Sequence, residues 1–239
     1  MKLLSIGNDS KTSKGEKFGW LTGILYLAPS DVSGLVNTCP QASKGCRVAC
    51  LYSAGRGAFS NVQKARIEKT RLYVQERETF FGHLVQDIVS LIKKAKKEGK
   101  KPCVRLNGTS DIDWENQTLP FGTKNIMEMF PSVQFYDYSK RTKRVIQSRD
   151  ASQPWPSNYH LTFSRSESNQ ADVEKVLKAG GNVAMVFKNL PLLVGGLAFN
   201  HLVVDGDLSD LRFLDARLPV IVGLKAKGKA KKDESGFVL

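Results

Sequence analysis

The chain has 239 residues, 41% of them hydrophobic and 9% aromatic, with a formal net charge of +13. That length suits one large domain or two small ones, and the apolar fraction can fill a sizeable core. The N-terminal apolar run is too short for a signal peptide, and the run over residues 190–199 is too short to cross a bilayer. The expectation is a cytoplasmic protein without a membrane partner, whose thiols stay reduced.

Residues 21–27 read as a first strand, ended by Pro29. A loop carrying three cysteines follows. Residues 61–101 have a helical pattern, with Phe80, Leu84, Ile88 and Leu91 at three- and four-residue steps and a lysine-rich end at Gly99. Beyond it, short apolar runs alternate with polar loops and helices. Strands are expected at 102–106, 133–137, 159–163, 182–187, 202–204 and 219–222. Helices are expected at 124–130, 142–148 and 169–179, the last stopped by Gly180 and Gly181. Alternation of this kind predicts an α/β fold, a partial or complete (β/α) barrel of mainly parallel strands. Residues 1–223 read as one domain and 224–239 as a basic C-terminal tail.

Polar clusters follow the strands, where α/β folds bind ligands. Arg105 ends one strand, and Asn107 and Asp111 lie in the loop after it. Asp137 and Lys140 follow the next strand, then Ser164 and Arg165. Asp111, Asp137 and Lys140 are the candidate catalytic groups. Arg105, Asn107, Asp111, Ser164 and Arg165 are the candidate cofactor-binding groups. Asp205, Asp207 and Asp210 suit either a hard cation or ordinary turn chemistry.

Cys39, Cys46 and Cys50 sit in one loop after the first strand, with Lys44, Arg47 and Arg56 nearby to stabilise thiolates. Thiolate is a soft ligand, suited to zinc or an iron–sulfur cluster. Structural zinc wants four ligands, and the three histidines of the chain are scattered. Three thiols fit a [4Fe-4S] cluster with one open iron. Zinc and unligated thiols remain the other readings. Cys103 lies within a strand, on the face of Arg105 and Asn107, as a core residue or a fourth ligand.

The cysteine loop after a first strand resembles that of the radical S-adenosylmethionine enzymes, with a wider spacing here. That resemblance implies a cluster whose open iron binds S-adenosylmethionine, with Asn107 and Asp111 holding the cofactor's amino group. Residues 22–29, the loop through Gly57, 105–112, 135–140, 160–166, 205–215 and the lysine-rich tail are similar to an uncharacterised phage family, gene product 88. This would place the protein in a host cytoplasm.

Two function classes follow. One is a radical-SAM-like iron–sulfur enzyme, which needs an electron donor. The other is a non-catalytic cluster-bearing phage accessory protein that binds nucleic acid or a nucleotide through Lys225, Lys227, Lys229, Lys231 and Lys232.

Overall fold

The computed structural model describes residues 1–7, 10–122, 125–191, 197–198, 200–216 and 218–239. The expected helix start at 124, and residues 192–196 and 199 of the apolar run, lie outside them. In chain order the elements are β1 (Leu4–Ile6), α1 (Ser10–Glu16), β2 (Trp20–Leu25), α2 (Lys44–Val48), α3 (Ser60–Gln75), α4 (Arg77–Lys97), β3 (Lys101–Arg105), α5 (Ile126–Met129), β4 (Gln134–Ser139), α6 (Thr142–Gln147), β5 (Tyr159–Ser164), α7 (Gln170–Lys178), β6 (Val183–Phe187), β7 (Leu197–Ala198), β8 (His201–Asp205) and β9 (Ile221–Lys225).

Two compact units form. The first comprises residues 1–40, 59–137 and 156–160, and the second 41–58, 138–155 and 161–239. In the first unit β2, β3 and the start of β4 run parallel, and β1 lies antiparallel on the outer side of β2. In the second, β5, β6, β9 and β8 run parallel in that order, and β7 is antiparallel to β8. The fold is thus mixed α/β with mostly parallel pairing, as the alternating pattern predicts. It is not closed into a barrel. β1 in the first unit and β7 in the second are antiparallel strands each paired on one side only, whereas closure needs every strand paired on both sides.

α4 supplies much of the first unit's core. Phe80, Phe81, Leu84, Ile88, Leu91 and Ala95 are fully buried along one helical stripe. Each large side chain there contributes about 1.5–3 kcal/mol by leaving water. Gly23 lets β2 approach this stripe, because a Cβ there would lie 3.2 Å from Leu91 and 3.1 Å from Leu4. Phe80 stacks on Trp114 at 6.3 Å, and Tyr73 meets Trp114 edge-on at 5.5 Å. The helical pattern of 61–101 resolves into two helices, broken where Glu76 adopts φ −134° and ψ 61°.

The second unit has its own core. Leu161, Phe163, Val173, Val176, Val183, Met185 and Ile221 are fully buried, on the strands β5, β6 and β9 and on α7.

β1 is tied to the helices by polar contacts. Asp87 Oδ2 accepts from the Leu3 and Leu4 amides at 2.6 and 2.8 Å, and Lys69 Nζ donates to the Leu3 carbonyl at 2.6 Å. Burial pushes Lys69 down to about 8, against the opposing pull of Asp87. The unfolded chain therefore binds this proton more tightly than the folded one between about pH 8 and 10. Stability contributed by this group rises with pH across that window. Urea midpoints at pH 7.5 and 9.5 should show a gain on the order of 1 kcal/mol in the wild type that is missing in Lys69→Gln. Equal pH dependence in the two proteins would refute it.

Candidate functional site

In the first unit, the loop after β3 is a dense hydrogen-bonded structure. Asn107 is its hub: Oδ1 accepts from Ser110 Oγ (2.8 Å), the Ile112 amide (3.0 Å) and the Trp114 indole (3.0 Å), and Nδ2 donates to the Ile112 carbonyl (2.9 Å). The loop is pressed against the end of β2. The Gly108 amide donates to Leu25 O, and Thr109 Oγ1 donates to Leu27 O at 2.6 Å. A Cβ at Gly108 would stand 2.6 Å from both Leu25 O and the Tyr26 ring, so only glycine fits this approach.

Asp137 is fully buried and engaged by both oxygens. Oδ1 accepts from the Asn107 amide at 2.6 Å and Oδ2 from the Tyr159 hydroxyl at 2.9 Å. Asp111 is buried too, with its amide on Thr38 O at 2.8 Å. Arg105 is also buried. In the first unit Asn107 and Asp111 thus lie in one buried polar loop, which Asp137 of β4 holds through the Asn107 amide.

The second unit groups Lys140, Ser164 and Arg165. Lys140 Nζ donates to Ser164 Oγ at 2.7 Å and lies 5.8 Å from the centroid of the Phe237 ring. Arg165 Nη1 donates to the Gly236 and Phe237 carbonyls at 2.6 and 3.0 Å, and its Nε to Gln170 Oε1 at 3.0 Å. Burial pushes this guanidinium down from its ordinary range, opposed by Glu167 and Asp233. These residues fasten the C-terminal segment.

Glu167, one of the polar residues that follow the strand at 159–163, anchors the cysteine loop. Its Oε1 accepts from the Gly45 amide at 2.7 Å and Oε2 from Ser43 Oγ at 2.8 Å, while Ser43 caps α2 by accepting from the Cys46 amide. At 122 residues from Gly45, it carries no local signal that could have revealed the link. Gly45 is packed so closely that a Cβ would meet Ser235, Phe237 and Glu167 within 2.9 Å.

Residues 224–239, read as a tail, are built into the second unit. Ala226, Ala230, Phe237 and Val238 form one buried apolar cluster with Ala49. Val238 bridges to Val186, and Leu239 exchanges backbone bonds with Val186 and Lys188. A 3-10 turn, Gly228–Lys232, turns Ala230 inward and leaves Lys229, Lys231 and Lys232 exposed, with Lys225 and Lys227 exposed just before it.

The [4Fe-4S] cluster is corrected by the positions of its supposed ligands. Among the described residues no three His, Cys, Asp or Glu side chains come together in a way that could hold a metal ion. Cys39 belongs to the first unit, where its thiol donates to Thr109 O at 3.5 Å. Cys46 and Cys50 belong to the second unit. Cys46 packs against the apolar cluster of the C-terminal segment, and Cys50 precedes the short turn Leu51–Ser53. Cys103 is buried, 3.2 Å from Thr22 Oγ1, as a core thiol and not a ligand. The cysteines are close in sequence because one loop carries them, but that loop is held by Ser43, Gly45 and Glu167 and not by converging thiols. S-adenosylmethionine bound through an open iron is withdrawn with the cluster. The acidic 205–210 stretch resolves as turn chemistry: Asp205 accepts from the Asp207 amide, and Asp207 pairs with Lys227 and the Lys225 amide.

No helix of the described residues is long and apolar enough to cross a membrane. No curated protein and no solved structure matches the chain, and nothing supports the resemblance to radical S-adenosylmethionine enzymes. The model of the gene product 88 family matches residues 2–239, and the chain belongs to that phage family.

Proposed function

We propose that the protein is a phage accessory protein that binds nucleic acid through the backbone phosphates, using the lysine turn of its C-terminal segment. The observation that carries this reading is the ordering of that turn. Lys225, Lys227, Lys229, Lys231 and Lys232 stand exposed on a segment whose alternate alanines and terminal Phe237 and Val238 are buried. A tail needed only for solubility has no use for such anchoring. Fixing the backbone that carries the ammonium groups before binding lowers the ordering cost of binding a polyanion. The turn itself offers ammonium point charges and no planar guanidinium, which favours phosphate contact over base reading, so sequence-tolerant binding is the expected mode.

The same unit adds Lys44 and Arg47 on α2 and Arg56 in the turn that follows, all exposed. Ala54, in that loop, lies against Gly228 of the lysine turn, so the two cationic segments adjoin. The formal charge of +13 makes the field attractive to any polyanion at low salt.

The test is binding of a labelled 20-mer, single- and double-stranded, followed by anisotropy between 50 and 200 mM salt. Replacing Lys225, Lys229, Lys231 and Lys232 together by serine should weaken binding at least 10-fold at 50 mM salt. It should also reduce the slope of log K against log salt by about 3. Lys227 is left in place because it pairs with Asp207. No binding by the wild type at 50 mM salt, or an unchanged slope in the variant, would refute the reading.

A further inference from the structure

At the opposite end of the first unit's parallel strands from the Asn107 loop, a small pocket opens where the strands begin. Trp20, Lys101 and Gln134 are the first residues of β2, β3 and β4, and Trp20 is the registered neighbour of Lys101. The cavity measures about 170 Å³, with Pro102, Pro131 and Ser132 also on its wall. This is below the roughly 300–1,000 Å³ of a drug-sized site and leaves room for one planar ring system.

We infer that this pocket is a stacking site for a single unpaired base of a nucleic-acid strand, an inference that rests on the nucleic-acid reading above. Three observations converge on that occupant. First, the walls carry rings and are rigid. Trp20 and two prolines line the cavity, and the floor is fixed because Asn158 donates from Nδ2 to the carbonyls of Met127, Phe130 and Val133. Gln134 is tied to the Phe135 and Asn158 carbonyls through Nε2, so the pocket exists before any ligand arrives.

Second, the rim is cationic. Lys101 Nζ lies over the Trp20 ring, 5.6 Å from its centroid, on an exposed side chain that an entering base displaces toward the phosphates, and α4 ends in lysines shortly before Lys101 in the chain. Lys96 and Lys97 are exposed, and only the three residues 98–100 separate α4 from β3. Third, Phe18 leaves 52% of its surface exposed two residues before Trp20, beside exposed Lys17. Aromatic faces interleaved with lysines are the arrangement that holds single strands, the bases on rings and the phosphates on ammonium groups. An apolar peptide would gain nothing from the lysines, and a bare polyanion nothing from the rings.

The experiment compares a 12-mer of deoxythymidine with an abasic 12-mer of the same length, each labelled and titrated against the wild type, Trp20→Ala, Trp20→Phe and Lys101→Gln, with thermal melts to confirm folding. The wild type should bind the thymidine strand more tightly than the abasic one. Trp20→Ala should weaken thymidine binding about 5- to 100-fold and leave abasic binding and the salt slope unchanged. Trp20→Phe should retain most of the preference, and Lys101→Gln should lower the slope by about one. Equal wild-type affinity for the two strands, or a base preference untouched in folded Trp20→Ala, overturns the stacking site while leaving phosphate binding intact. Failure of the wild type to bind either strand at 50 mM salt overturns the nucleic-acid reading itself, and the stacking site with it.

Discussion

Replacing Asn107 by alanine is expected to cost about 3–5 kcal/mol, among the largest effects of any single substitution in the chain. The side chain is 2% exposed and makes four hydrogen bonds at the end of β3. Alanine strands the Ile112 amide, the Ser110 hydroxyl, the Trp114 indole N–H and the Ile112 carbonyl in a buried loop. Each orphaned group costs about 1–3 kcal/mol unless water reaches it. The Trp114 ring also packs on Phe80, Phe81 and Tyr73, so loosening the indole disturbs the largest aromatic group of the first unit. Urea denaturation followed by tryptophan fluorescence gives the measurement. A loss below 1 kcal/mol would show that the loop is organised by something other than Asn107. Asn107→Asp makes a sharper comparison: it keeps the three accepted bonds but sets a carboxylate oxygen against the Ile112 carbonyl, so it should fall between wild type and alanine.

This loop shows how far sequence reading reaches. The periodicity of Phe80, Leu84, Ile88 and Leu91 located α4 because a helix with one buried face must repeat its apolar residues near 3.6. The apolar runs located β3, β4, β5, β6, β8 and β9 within a few residues. β1 was missed because three residues make too short a run, and its attachment lies in Asp87 and Lys69, more than sixty positions away. Polar residues around the ends of β3 and β4 stand out in the sequence, and Asn107 and Asp137 do meet, through the Asn107 amide. What no pattern discloses is whether such groups face a ligand or one another.

The cysteines illustrate the same limit. Thiol count and spacing describe which ligands a loop could offer, whereas convergence depends on where the loop is pinned. Here Glu167 pins it through Ser43 and Gly45. The C-terminal segment reads as a tail because lysines dominate its composition. Its anchors are two alanines and a terminal Phe-Val pair, residues too small or too few to register as an apolar period. Their packing turns a run of charge into a surface of fixed geometry, on which the proposed function depends.

Arg165→Met is the second substitution with a large expected effect, and it separates the presence of the lysines from their presentation. The guanidinium spans the Gly236 and Phe237 carbonyls and Gln170, and so closes the C-terminal segment over α2. Methionine fills much of the volume but leaves both carbonyls without their charged donor, at a cost of about 2–4 kcal/mol. The cost falls first on the segment itself, which opens locally before the strands do. A loss of about 2 kcal/mol raises the open fraction roughly 30-fold, and tryptic cleavage after Lys229, Lys231 or Lys232 should accelerate by the same factor. Intact-mass analysis of the early products identifies those cuts. Arg165→Lys should not restore protection, since one ammonium cannot serve both carbonyls and Gln170 in the geometry of a planar fork. Nucleic-acid affinity should fall in Arg165→Met although every lysine of the turn remains, because the backbone that carries them must then be ordered at the moment of binding. If cleavage accelerates while affinity holds, the lysines act as a flexible charge run and the ordered turn is irrelevant to binding. If neither changes, Arg165 does not fasten the segment at all.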